Sequence, residues 1–275
     1  MDDNSPLVAG VIGWPVKHSM SPTIHTAAAR AVGVSLTYSA IEVEPGATRS
    51  AIELMRRDNI RGYSVTMPHK EAVVEHLDEL TPAAQVLGAV NHITNTDGHL
   101  VGNNTDGDGF VLGLRHASGQ PVKGQSIGVV GSGGAARAII DACYRFGASE
   151  VVVVARSHER GSQAAALAHG RGRCTDITAL SECDIVVNAT PVGMAETAYD
   201  GEIPFDIALV DRTATVVDIV YNPLETPLLS ASRERGISTV GGLAMLVGQA
   251  AEQFTAWTGV PAPLDAMFDA VAGVV

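Results

Sequence analysis

Lys70, Ser19, Ser21 and Asp106 have types and settings suited to proton transfer and anion binding. In Val65-Thr66-Met67-Pro68-His69-Lys70, Pro68 fits the first turn of a helix predicted over 68–80, with Ala72, Val73, Leu77 and Leu80 on one face. Lys70 then sits in that first turn, where a cation opposes the helix dipole by about 0.3–1 kcal/mol. A lysine so placed has its ammonium form disfavoured and can exchange a proton near neutral pH. The alternative is a solvated lysine paired with Glu71 or Glu75. Ser19-Met20-Ser21-Pro22 opens another helix, predicted over 22–31. Ser21 suits the N-cap, which leaves Ser19 without a capping duty. Two hydroxyls beside free helix amides would cradle a carboxylate; capping alone is the competing reading. Asp106, in Asn104-Thr105-Asp106-Gly107, is either a turn residue or the carboxylate that holds Lys70 in place.

A second constellation lies at Ile127-Gly128-Val129-Val130-Gly131-Ser132-Gly133-Gly134-Ala135-Ala136. An apolar strand runs into a glycine-rich turn, then a helix over 137–146 and a second strand over 151–154. Gly131 allows a sharp turn, Gly133 lets a diphosphate approach the main chain, and Ala136 keeps helix and strand close. The diphosphate would rest on free amides at the helix N-terminus. The second strand ends Ala155-Arg156-Ser157-His158-Glu159-Arg160, with Arg156 where NAD-selective sites place an acid. Two guanidiniums and a hydroxyl would hold a 2′-phosphate, which points to NADP rather than NAD. Against this, both arginines could be solvated charges and Glu159 could reach a ribose.

These groups need a frame. The first hundred residues alternate: strand 7–12, helix 22–31, strand 36–43, helix 48–57, strand 62–65 and helix 68–80. Two short strands follow across 86–96 around Asn91, ending at an Asp97-Gly98 turn. The alternation predicts an α/β unit with a largely parallel sheet and right-handed crossovers. The nucleotide unit is expected over 107–241, with later strands at 185–188, 216–219 and 239–240. A last helix, 243–257, carries Leu246, Ala250 and Phe254 at helical spacing. It is expected to return to the first domain, giving two crossings and a cleft.

Composition narrows the partners. The chain has 275 residues, is 46% hydrophobic and carries a formal net charge of -12. That size suits two modest domains or one large one, and that charge argues against nucleic acid while leaving small anions open. Cys143, Cys174 and Cys183 form neither a disulfide framework nor a zinc spacing, as suits a reducing cytosol. His18, His25, His69 and His92 lack a zinc motif and are expected to be structural or hydrogen-bonding, so no metal is expected. Met1-Asp2-Asp3-Asn4-Ser5 does not read as a signal peptide, and the apolar run 243–251 is too short for a bilayer and contains Gln249.

Taken in order, these segments resemble the shikimate dehydrogenase family. The matching pieces are Ser19-Met20-Ser21-Pro22, Val65-Thr66-Met67-Pro68-His69-Lys70, Gly88-Ala89-Val90-Asn91 and Asn104-Thr105-Asp106-Gly107. They continue with Gly131-Ser132-Gly133-Gly134-Ala135, Asn188-Ala189-Thr190-Pro191, Asp218-Ile219-Val220-Tyr221-Asn222-Pro223 and Gly242-Leu243-Ala244-Met245-Leu246-Val247-Gly248-Gln249-Ala250. The resemblance implies an α/β chain with an N-terminal substrate domain, 1–106 completed by 242–275, and a Rossmann-type NADP-binding domain, 107–241. It implies reversible NADPH-dependent reduction of 3-dehydroshikimate to shikimate in aromatic amino-acid (chorismate) biosynthesis, in a cytoplasmic monomer or homodimer. Ser19 and Ser21 would hold the substrate carboxylate with help from Tyr221, and Thr66, Asn91, Asp106 and Gln249 would bind ring hydroxyls. Lys70 and Asp106 would be the catalytic pair. Gly131, Ser132, Gly133, Gly134, Ala135 and Ala136 would hold the diphosphate, and Arg156, Ser157 and Arg160 the 2′-phosphate. Thr190, Val220 and Gly242 would line the cofactor near the nicotinamide. Met20 departs from the usual Leu, Ser64 from Asn, His92 from Thr, Ala155 from Asn and Ser157 from Thr. Rival readings are a quinate/shikimate dehydrogenase using NAD, a non-catalytic shikimate-binding regulator, and an amino-acid-type dehydrogenase on a similar frame.

Overall fold

The computed structural model describes residues 6–272; the acidic N-terminal residues read above for a signal peptide lie outside it. The chain divides into two units, one built from 6–105 and 249–272, the other from 106–248.

In the first unit, β1 (Leu7–Gly13), α1 (Ser21–Val32), β2 (Leu36–Glu42), α2 (Thr48–Arg57) and β3 (Gly62–Val65) follow the expected alternation. Then come β4 (Glu79–Leu80), α3 (Pro82–Leu87), β5 (His92–Thr96) and β6 (His99–Asn103). The described sheet runs β2-β1-β3-β5-β6-β4. It is mixed rather than largely parallel: β1 pairs parallel with β2 and β3, but β3–β5 and β5–β6 are antiparallel. A hairpin accounts for the β5–β6 pair. Asp97 (φ 52°) and Gly98 (φ 89°) both take left-handed backbone, as a two-residue turn requires, and Thr96 faces His99 across it. The sheet buries Ile12, Tyr63, Val65, Ile93 and Leu100 against Ile52 and Met55 of α2.

Two local expectations fail here. The stretch 68–80 is not an α-helix; it holds turns, one 3₁₀ turn at Val74–His76, and β4. Tertiary bonds take its backbone and side chains. The Lys70 carbonyl accepts from the Val90 N–H at 2.7 Å, and buried His69 bonds Thr48 Oγ1 at 2.9 Å and the Val43 carbonyl at 2.6 Å. The helix-dipole argument for Lys70 therefore falls. Across 86–96, residues 86–87 end helix α3, and β5 alone follows Asn91. Thr81 caps α3 by accepting from the Ala84 N–H, and Gly88 closes it at φ 62°.

In the second unit, α4 (Asp106–Ser118), β7 (Ser126–Val130), α5 (Gly134–Arg145), β8 (Glu150–Val154), α6 (His158–Ala165) and β9 (Gly172–Cys174) lead to β10 (Ile185–Asn188). After these come β11 (Thr215–Asp218), α7 (Pro227–Glu234) and β12 (Ser238–Val240). The described sheet is parallel throughout and ordered β12-β11-β10-β7-β8-β9. This is the doubly wound dinucleotide-binding order, whose chain reversal between β7 and β10 opens the ligand crevice. Val129, Val152, Val186 and Val216 are fully buried, as strands covered on both faces require. Helix α8 (Leu243–Thr258) starts in this unit and ends in the first, where α9 (Leu264–Ala272) packs on α1.

Candidate functional site

The N-terminus of α1 carries the two serines, with their expected duties exchanged. Met20, not Ser21, is the N-cap and makes no side-chain cap bond. Ser19 Oγ accepts from the Ser21 N–H at 3.2 Å, so the residue thought free of capping does this work. Ser21 is inside the helix and buried. Its hydroxyl and that of Ser64 are the hydrogen-bonding neighbours of Tyr38, whose phenol is pushed well above its usual range by burial.

Asn91 and Gln249 are brought into one buried polar cluster. The Thr105 N–H donates to Asn91 Oδ1 at 2.8 Å, and the Thr105 hydroxyl reaches the same atom at 3.2 Å and the Gln249 carbonyl at 3.3 Å. Gln253, one helical turn beyond Gln249 and fully buried, donates to Gln249 Oε1 at 2.6 Å and to Thr105 Oγ1 at 3.2 Å. Ser64 donates to Gln253 Oε1 at 2.5 Å. Sequence reasoning missed Gln253; the i, i+4 spacing from Gln249 on an otherwise apolar helix face was the available signal. Thr66 follows β3, its N–H bonded to the Ile12 carbonyl at 2.9 Å, and Lys70 lies four residues on, held through its own backbone carbonyl. Both are partly exposed.

In the second unit, Asp106 opens α4 and is 8% exposed. A carboxylate in a first helical turn is favoured by the dipole. Gly107 beside it packs directly on the Ala138 carbonyl of α5, where a Cβ would not fit. The glycine loop joins β7 to α5. Gly131 takes φ 129°, which favours glycine, and donates to the Val154 carbonyl at 2.9 Å. A Cβ built on Gly133 or Gly134 meets no protein atom within 4 Å. Internal packing therefore does not require these two glycines, whereas a phosphate resting on the main chain does. Ser132 and Ala135 flank them, partly exposed, and Ala136 is fully buried in the first turn of α5. The loop and the free amides of α5 fit a diphosphate.

After β8, Arg156, Ser157 and Arg160 are all exposed. Ser157 caps α6, accepting from the Arg160 N–H at 3.3 Å, so its own proton remains available to donate. After β10, the Thr190 N–H and hydroxyl donate to Asn188 Oδ1 at 3.1 and 2.7 Å. Asn188 in turn donates to Asp218 Oδ1 at 2.9 Å, which also accepts from the Val220 N–H at 3.0 Å. The Thr226 hydroxyl satisfies Oδ2 at 2.7 Å. One buried carboxylate, its pKa raised by burial, thus fixes the loops that carry Thr190 and Val220. Gly242 sits against the Ile219 and Val220 carbonyls too closely for any side chain, and Tyr221 is 39% exposed.

The histidines have other work: His69 ties the 66–70 turn to α2, and His25 stacks on Tyr38 at 4.3 Å. The three cysteines are free thiols.

A doubly wound parallel sheet with a phosphate-fitting glycine loop, joined to an α/β unit rich in buried hydroxyls and carboxamides, defines a two-domain dinucleotide-dependent oxidoreductase. Family models agree. The shikimate dehydrogenase substrate binding domain matches 11–93 and the shikimate 5'-dehydrogenase C-terminal domain matches 242–271. The coenzyme F420-dependent NADP oxidoreductase model matches 126–220. The chain is 39% identical over 93% of its length to shikimate dehydrogenase (NADP(+)) of Geobacter metallireducens, covering 92% of that protein. The structure of shikimate 5-dehydrogenase from Thermus thermophilus in complex with NADP(H) and shikimate superposes with a TM-score of 0.89, at 34% identity, covering 98% of this chain and 100% of that one. Quinate dehydrogenase from Corynebacterium glutamicum in complex with NAD gives 0.87 at 30% identity, covering 98% and 99%. The chain belongs to the shikimate dehydrogenase family.

Proposed function

We propose that the protein catalyses the reversible NADPH-dependent reduction of 3-dehydroshikimate to shikimate, in the cytoplasm, as a monomer or homodimer without nucleic-acid or membrane partners. The observation that carries this reading is its similarity, over 98% of the chain, to a Thermus thermophilus enzyme holding both NADP(H) and shikimate. Among the described residues no helix is long and apolar enough to cross a membrane.

NADPH, when bound, supplies hydride to the substrate's carbonyl carbon. Lys70 donates a proton to the carbonyl oxygen and takes it back in the reverse direction, while Asp106 orients the lysine and a ring hydroxyl. Ser19, Ser21 and Tyr221 hold the carboxylate; Thr66, Asn91 and Gln249 bind hydroxyls. The 131–136 loop holds the diphosphate, and Arg156, Ser157 and Arg160 the 2′-phosphate. Thr190, Val220 and Gly242 line the nicotinamide end. The first unit, with the end of the chain, is then the substrate and catalytic domain, and the second the NADP-binding domain.

The deciding assay follows NADPH consumption with 3-dehydroshikimate, with shikimate and quinate, each with NADP and NAD, in reverse. Turnover with the first pair and preference for shikimate and NADP are expected. No turnover, or preference for quinate and NAD, overturns the assignment.

A further inference from the structure

Ser64 stands where the family resemblance leads one to expect a carboxamide, and the structure supplies a carboxamide there from a different element. Tyr38 and Ser64 share a 2.6 Å hydrogen bond. Because the Ser64 proton goes to Gln253 Oε1, the Tyr38 hydroxyl is the donor to Ser64. This orders the Gln253 amide: its carbonyl faces Ser64 and its NH2 faces Gln249 Oε1, Thr105 Oγ1 and, at 3.4 Å, the Asn91 main-chain carbonyl. The last is an acceptor only, so the NH2 end is fixed independently. Gln249 Oε1 is thereby engaged by Gln253, and Asn91 Oδ1 by the Thr105 N–H. With each acceptor oxygen engaged inside the cluster, which end of each carboxamide donates is fixed. A buried relay with every member satisfied holds one arrangement, whereas a half-satisfied one admits several.

We propose that Gln253 is a positioning residue that, through the Tyr38–Ser64 relay, orients the Gln249 and Asn91 amides as N–H donors to the hydroxyl oxygens of a polyhydroxylated ring. This rests on the functional reading above. Gln253 itself does not contact the substrate; it acts through the two amides.

The test uses Gln253→Glu and Gln253→Met in the full chain. A glutamic acid keeps the acceptor toward Ser64. Protonated, it also donates toward Gln249 Oε1; ionised, it sets a negative charge against carbonyl oxygens. Burial raises its pKa, bringing the change toward neutrality. The KM for 3-dehydroshikimate, relative to the parent at the same pH, is expected to stay within about threefold at the acid end and exceed about tenfold at the alkaline end. The KM for NADPH should remain within about twofold throughout, because no relay member lies in the nucleotide unit. Gln253→Met keeps the packing and removes every polar bond; its substrate KM should rise about tenfold at all pH values, with kcat changed less. A pH-independent ratio for the Glu variant, an unchanged substrate KM in a folded Met variant, or loss of thermal stability alone overturns the proposal. If Gln253→Met does not fold, Ser64→Ala takes its place, with a smaller rise expected and an unchanged KM counting against. Inactive parent protein in the same assay would instead refute the functional reading.

Discussion

The two units present their ligand-binding groups in opposite ways. In the first, two of the candidate substrate residues, Asn91 and Gln249, are side chains tied into a buried network: Asn91 is 2% exposed and the Gln253 behind it is fully buried. In the second, the proposed phosphate-binding groups are main-chain amides of a glycine loop and exposed arginines, with Asp218 buried below as the tie between loops. The physical difference is in what a substitution disturbs. A buried amide taken from its partners leaves others unsatisfied, costing about 1–3 kcal/mol each, whereas an exposed arginine removed from solvent leaves nothing stranded. Recognition and stability are therefore coupled in the first unit and separable at the rim of the second.

Lys70→Ala should give the largest effect, lowering kcat by about 10²–10⁴ with substrate KM changed less. Steady-state rates in both directions check it, and an unchanged kcat removes Lys70 from the chemistry. Lys70 is partly exposed, so its loss should leave the melting temperature nearly intact, unlike loss of a member of the buried network.

Acid should separate the units next. His25 and His92 are fully buried, with pKa values lowered to about 3 by desolvation, and in His25 also by the charge of His92. Both His25 ring nitrogens lack a partner among the described residues. The fold holds these rings neutral while the unfolded chain protonates them below about 6.5, so stability is full above that pH. It falls as pH drops toward 3, by up to about 1.4 kcal/mol per pH unit per group. His25→Phe keeps the stack on Tyr38 and should flatten the loss between pH 7 and 4. Thermal melts across that range test it, and an equally steep loss in the variant assigns the acid sensitivity elsewhere.

Arg156→Ala and Arg160→Ala should each raise the KM for NADPH about tenfold or more, with the KM for NADH and the melting temperature unchanged, since a charge-assisted bond is worth about 1.5–3 kcal/mol. Equal losses with both cofactors would show that the arginines do not read the 2′-phosphate. Ser19→Ala is expected to have the smallest effect, a several-fold rise in substrate KM with kcat nearly kept. A selective rise in the KM for NADPH would place Ser19 with the other unit's ligand.

Much of the second unit was legible because its signals are local. Gly131, Gly133 and Ala136 act through backbone freedom and size, and the flanking valine runs bury on both faces whatever surrounds them. The Asp97-Gly98 turn was legible for the same reason, but the antiparallel pair it makes inside a mixed sheet depends on which strands lie beside it. The strand at Gly172–Cys174 escaped notice because three residues carry no periodicity. In the first unit, Pro68 and the spacing of Val73 and Leu77 suggested a helix that long-range bonds to Val90, Thr48 and Val43 displaced.

From the sequence alone came the α/β class, the dinucleotide loop with its arginines, and the candidate identity of Ser19, Lys70 and Asp106, because each depends on residue type and near spacing, while Asn91 entered through the family resemblance. Tertiary structure alone decided that no helix sets Lys70 against a dipole, and that Gln253, 162 positions from Asn91, stands behind it. Those outcomes turn on which donor finds which buried acceptor. Partners far apart in the chain leave no mark in the local pattern until the fold has removed water as their alternative.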